Sequence, residues 1–261
     1  MEKFREYGQG PFNVAFIHGG PGAAGELKPV AKRVSEYCPS IEPFQTAMNI
    51  NGQVEELRLI IERKAPGGII LAGYSWGAWL SWIFAAKYPK LVKKIIMISS
   101  PPFTDEYAAA IMPARLSRLK HPLRQEFEFL FSNIGNKAVR DKRRLMERIG
   151  QLTQQSDFFN PDFSAAEKPE HNADIYERVW NEASAMRSSG ELLKLSKSVK
   201  CHVTAIHGDY DPYPAEGVRA PLSRVKRKFT FHLLKNCGHT PWLEKEASEI
   251  FFSILKDEIT A

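Results

Sequence analysis

Short apolar runs alternate along this chain with segments whose apolar positions recur every three or four residues. Residues 14–18 (Val-Ala-Phe-Ile-His) read as the first clear strand. Residues 26–37 follow with Leu27, Val30, Ala31 and Val34 at helical spacing. Residues 40–44 read as a short strand, and 54–64 as a helix with Leu57, Ile60 and Ile61 on one face. Residues 69–74 are apolar throughout, as in a strand buried on both faces. The next helix, residues 78–86, is apolar on nearly every side, which predicts a buried helix. Strands are expected at 95–98, 203–207 and 229–234, and a terminal helix at 245–259. Such alternation predicts an α/β fold: a mostly parallel central sheet with helices on both faces.

Between about Phe103 and Leu195 the pattern changes. No convincing strand is visible, and three sets of residues recur at helical spacing: Phe127, Leu130 and Phe131; Leu145, Ile149 and Leu152; Ile175, Val179, Ala183 and Met186. Pro113, Pro122, Pro161 and Pro169 punctuate them. The expected organisation is a core of residues 1–102 and 196–261 with a helical cap, residues 103–195, inserted over the strand ends, where open α/β sheets bind ligands.

Composition narrows the class. The 261 residues are 43% hydrophobic and 25% charged, as in a globular enzyme. No apolar stretch approaches the roughly 18–20 residues of a membrane span, and residues 1–6 lack the apolar centre of a signal peptide. Three cysteines, Cys38, Cys201 and Cys237, make neither a disulfide framework nor a C-x-x-C site. A cytoplasmic, membrane-independent protein is expected. The net charge of +6 gathers in residues 140–144 and 224–228, without the interleaved aromatic residues of a nucleic-acid face, so solvated surface charge is the reading.

The chemistry gathers at Gly73-Tyr74-Ser75-Trp76-Gly77, between an apolar strand and an apolar helix. Glycine two residues either side of a serine at that junction is the nucleophile-elbow pattern. It calls for an acid and a histidine, in that order, and two backbone N–H donors. Asp209 and Asp211 follow the strand at 203–207; Asp211, further out on the loop, is the preferred acid, and Asp209 is assigned to bracing the turn. His239, after Gly238 and the last strand, is the base. His18 is expected to buttress its loop, and His207 to be packed or bound to backbone. The donors are expected at Trp76 and, in the loop His18-Gly19-Gly20-Pro21-Gly22, at Gly20, with Gly19 second. That loop lacks phosphate-binding spacings.

Together these four motifs, roughly within residues 11–102 and 196–261, resemble the α/β-hydrolase superfamily, and the glycine loop with Ser75-Trp76-Gly77 resembles its proline iminopeptidase branch. Two departures stand out. Only about a dozen residues precede the first strand, so the leading hairpin is expected to be short or absent. The tryptophan-glutamate pair of those peptidases has only a loose echo in Trp180-Asn181-Glu182. The resemblance implies an acyl-enzyme mechanism through Ser75, Asp211 and His239, with no metal or organic cofactor. Tyr74, Phe103, Tyr213 and Trp242 are candidates for binding a small-molecule substrate; Tyr210 and Trp79 lie near the motifs too, Trp79 more as a core residue. The leading expectation is hydrolysis of a small carboxylic ester, with a thioester or amide in second place. An aminopeptidase releasing proline and a non-catalytic binding protein on the same scaffold remain alternatives.

Overall fold

The computed structural model describes residues 3–136, 138–166 and 170–261. In chain order the strands are β1 (Phe4–Tyr7), β2 (Val14–Ile17), β3 (Ala23–Ala24), β4 (Ser40–Pro43), β5 (Ile69–Tyr74), β6 (Val92–Ile98), β7 (Glu170–His171), β8 (His202–Gly208) and β9 (Phe229–Leu234). The helices are α1 (Lys28–Val34), α2 (Ile50–Lys64), α3 (Trp76–Lys87), α4 (Asp105–Ala108), α5 (Ile111–Arg118), α6 (His121–Ser132), α7 (Lys142–Asp157), α8 (Ala173–Ser188), α9 (Glu191–Lys194), α10 (Glu216–Val225) and α11 (Ser248–Thr260).

Seven strands form one sheet in the order β1-β4-β2-β5-β6-β8-β9. Every pair in it is parallel except β1 with β4. β5 is buried at all six positions, as its unbroken apolar run requires. Two apolar clusters lie against the sheet. One gathers α2, α3 and residues of α8 through α10, including Trp76, Trp79 and Trp82. The other gathers α1 and α11 around Leu27, Val34, Phe251 and Leu255. No described helix is long and apolar enough to cross a membrane.

Three features depart from the sequence reading. β1 precedes the strand expected to be first: Phe4 and Tyr7 are half-buried while Arg5 and Glu6 face out, so this short edge strand has no apolar run to betray it. The region 103–195 holds a strand after all, the two-residue β7, which pairs antiparallel with β3. α2 starts at Ile50 rather than 54, because the Asn49 side chain caps it by accepting the Gly52 N–H at 2.7 Å. Pro169 lies outside the described residues.

The helices between β6 and β8 are not uniform. α5, α6 and α7 share a small apolar cluster of their own, built on Leu119, Phe127, Leu145, Ile149 and Leu152. α8 joins the main core instead: Trp180 stacks on Trp79, with ring centroids 5.7 Å apart, and Ile175, Val179 and Ala183 are buried there.

Candidate active site

β2, β5, β8 and β9 run parallel, so the loops that follow them emerge along one edge of the sheet. Those loops carry the glycine stretch, Ser75, Asp211 and His239. At the tip of β5 the chain reverses into α3 with Ser75 at φ +50°, a strained conformation for a residue with a side chain. The flanking glycines are a steric necessity. A Cβ on Gly73 would lie 2.1 Å from the Gly77 carbonyl oxygen, and one on Gly77 would lie 2.0 Å from that of Ile17.

Three side chains from three loops meet there. His239 Nδ1 lies 2.9 and 3.0 Å from the two Asp211 oxygens. A carboxylate cannot donate, so Nδ1 carries the proton and Nε2 is left as the acceptor. Nε2 lies 3.2 Å from Ser75 Oγ, whose hydroxyl donates to it. Burial opposes a charge on His239, but the Asp211 carboxylate and its hydrogen bond outweigh that and raise the imidazole above its ordinary value. Burial also opposes the Asp211 charge; His239, His207 and the hydrogen bonds from His239 and the Tyr213 N–H prevail and hold the carboxyl below the usual range.

The other histidines and acids have separate work. His18 Nε2 accepts the Gln45 N–H at 3.2 Å and Nδ1 donates to the Gly19 carbonyl. Burial pulls its imidazole down to about 4, so it braces the loop uncharged. His207 donates to the Tyr213 carbonyl at 2.7 Å and lies 3.3 Å from Asp211. Asp209 faces the Cys237 N–H and Lys235, away from His239. Glu182 accepts the Ile50 N–H at the start of α2 and is spent there.

Above Ser75 lies a cavity of about 280 Å³. Gly20, Tyr74, Tyr213, His239 and Trp242 line it from the sheet side. Tyr213 stacks on the His239 ring at 4.6 Å, and the Tyr74 hydroxyl bonds Thr240 Oγ1. Phe131, Ile134, Met146 and Ile149 line the far end from α6, α7 and the turn between them. Phe103 departs from expectation: it is fully buried between Trp79 and Trp82 and does not line this cavity. Tyr210 is likewise absent from the lining; it stacks under Arg118 and against Phe159. Trp79 is core, as expected, with its indole N–H donating to the Pro101 carbonyl. The Trp76 side chain is buried, bonding Gln53, while its backbone N–H opens α3 and has no acceptor within the helix. The Gly19 N–H is taken by Glu26 at 3.1 Å, whereas the Gly20 N–H has no partner among the described residues.

Sequence reasoning missed three groups. Glu26 lines the cavity, and its only sequence signal was an acid eight residues after His18. The buried Arg115–Asp157 pair also lines it, closed by bonds of 2.9 Å from Nε and 2.5 Å from Nη2. Nothing in sequence joins residues so far apart on α5 and α7. Glu244, fully buried, accepts the N–H groups of Gly238, Phe159 and Asn160 at 2.8–2.9 Å. The Asp157 carbonyl accepts the His239 N–H at 2.7 Å. The end of α7 is thereby tied to the histidine loop, so closely that a Cβ on Gly238 would meet Asp157 oxygen at 2.1 Å.

Comparisons with known proteins agree with this architecture. A family model described as the alpha/beta hydrolase fold matches residues 34–246. The 2-(acetamidomethylene)succinate hydrolase of Mesorhizobium japonicum is 30% identical over 123 residues, 43% of this chain and 44% of that protein. The chain's matches to its curated relatives thus span less than half of their length. The crystal structure of E-2-(acetamidomethylene)succinate hydrolase superposes with a TM-score of 0.64 at 22% identity, covering 99% of this chain and 94% of that one. Est816, described as an N-acyl homoserine lactone degrading enzyme, gives a TM-score of 0.63 at 15% identity, covering 97% of this chain and 95% of that one. A family match across most of the chain, on a parallel sheet whose strand ends carry these loops, places the protein in the α/β hydrolase fold family.

Proposed function

We propose that this protein is a serine hydrolase acting on a small carboxylic ester through an acyl-enzyme, with Ser75 as nucleophile, His239 as base and Asp211 as the orienting acid. The carrying observation is the single file from Asp211 through His239 to Ser75 Oγ, with a lone pair of Nε2 facing the hydroxyl. Ser75 Oγ attacks the carbonyl carbon and its proton passes to Nε2. The Trp76 and Gly20 N–H groups hold the resulting oxyanion, each worth about 10²–10³ in rate. Collapse breaks the ester C–O bond, and the leaving alcohol takes the proton from Nε2. Water then attacks the acyl-enzyme with His239 again as base, releasing the acid. The helices α5–α7 act as a cap, and their apolar wall supports a substrate with a hydrocarbon portion. The relative's name, a hydrolase of an acetamidomethylene succinate, is in keeping with hydrolytic chemistry.

Glu182, the loose echo of the peptidases' amine-holding glutamate, accepts the Ile50 N–H and does not line the cavity, so the tryptophan-glutamate pair gives the peptidase reading no support. Labelling by a fluorophosphonate probe, lost in Ser75→Ala, tests the nucleophile. Turnover of aryl esters beside proline-anilide tests the substrate class; cleavage of the anilide alone would sink the ester reading.

A further inference from the structure

Glu26 has no role in the triad, yet it lies in the same cavity as Ser75 and His239. Its Oε2 accepts the Gly19 N–H at 3.1 Å, the one hydrogen bond that Glu26 makes among the described residues, so Oε1 is left over. Burial, His239, the Gly19 N–H and Glu42 act on its charge, and no Lys or Arg is among them. The other charged side chains described on the lining, Arg115 and Asp157, neutralise each other through bonds from both Nε and Nη2. Among the described residues the cavity therefore presents one carboxyl without a counter-charge, and the one described cation on its lining, Arg115, is already bound.

Resting on the hydrolase reading, we propose that Glu26 sets specificity: it excludes acyl groups that carry a carboxylate and favours uncharged ones that present an O–H or N–H to its free oxygen. Two anionic oxygens about 6 Å apart in a site of effective dielectric about 20 repel enough to lower binding about 100-fold. A hydrogen-bond donor on the substrate meets an unsatisfied acceptor there instead. Burial pushes the Glu26 carboxyl up to about 7; His239 and the Gly19 N–H pull it back, and Glu42 on β4 adds to the rise. The buried Tyr74 phenol on β5 also faces it, and Arg5 on β1 approaches the loop at Gly25 while pairing with Glu42. Glu26 gains its charge as pH rises through about 7, so the exclusion strengthens in that direction.

The test is a pair of nitrophenyl esters of one shape: the half-ester of succinate, which ends in a carboxylate, and that of succinamate, which ends in a carboxamide. For the wild type at pH 8 we expect kcat/KM for the succinamate to exceed that for the succinate by about 30–100-fold, with the gap narrowing at pH 6. In Glu26→Gln the gap should close to within about threefold. Glu26 also braces Gly19, so the substitution lowers the absolute rate, and the ratio between esters is the readout. Protection of Ser75 from fluorophosphonate labelling by the two acid products, succinate and succinamate, which differ by the same one charge, makes the comparison without turnover. A wild-type gap under threefold, or a gap unchanged in folded Glu26→Gln and Glu26→Ala, overturns the proposal. A wild type that the probe does not label overturns the hydrolase reading itself, whereas labelling with an unchanged ratio overturns Glu26 alone.

Discussion

All six residues of β5 are buried, whereas α6 buries one residue, Phe127, of its twelve. The same contrast runs through the two halves that face each other across the cavity. On the sheet side, each loop leaves a strand of the parallel sheet, and Gly73, Gly77, Gly208 and Gly238 pass within contact of neighbouring backbone. The serine, aspartate and histidine have almost no freedom to be elsewhere. On the α5–α7 side, a small apolar cluster holds three amphipathic helices, and much of their surface faces water. The sheet side is suited to chemistry, which needs sub-ångström placement. The helical side is suited to varying the shape and charge of a pocket. The two are not independent, because Asp157 and Glu244 stitch the end of α7 to the loop of His239.

Substitutions can break this contrast or sharpen it. The largest effect is expected at the sheet side: Ser75→Ala should cut kcat by about 10⁴–10⁶ with an unchanged melting temperature; a variant retaining a tenth of wild-type turnover would move the chemistry elsewhere. Arg115→Met leaves the Asp157 carboxylate buried and unpaired, and should destabilise the protein by about 3–5 kcal/mol in denaturant titrations. Because the same residue's carbonyl holds His239, kcat should fall too; a fall in stability with kcat intact would show that the halves are decoupled. Glu244→Gln puts an amide donor against one of three backbone N–H groups and should cost about 1–3 kcal/mol, with faster amide exchange in residues 236–240.

The pH profile follows from the direction of the His239 shift. In the proposed mechanism His239 must be neutral to take the proton, and its pKa is raised above 6.5 by Asp211 against the opposing effect of burial. kcat/KM should therefore fall about tenfold per pH unit below a midpoint higher than 6.5; Asp211→Asn should lower that midpoint and cost about 10⁴ in kcat. The smallest effect is expected on the outer face of α6. Phe129 is 68% exposed, and Phe129→Ser should shift stability by no more than about 0.5 kcal/mol. A larger loss would mean that this face packs against something.

The legible parts of the molecule share a cause. Ser75 could be read because a turn that tight tolerates glycine alone at two fixed offsets. Asp211 and His239 could be read because strand ends punctuated by glycine are local signals in a known order. α2 and α8 showed in their periodicity, although the cap of Asn49 moved one start. β1 escaped because an edge strand with charged outward residues carries no apolar run, and β7 because two residues make no pattern. Phe103 misled because proximity in sequence to β6 says nothing of which way a ring turns; it turned into the tryptophans.

By itself, then, the amino-acid sequence determined the parallel sheet, the elbow and the identity of the residues that meet at it. Each of these depends on steric and periodic rules that act within a few residues along the chain. Tertiary structure alone decided that Glu26 faces the cavity with no counter-ion among the described residues, that Arg115 pairs with Asp157, and that Glu244 ties the α7 end to His239. Those are encounters between distant segments, and their energies depend on burial and on neighbouring charge, quantities that exist only once the chain has packed.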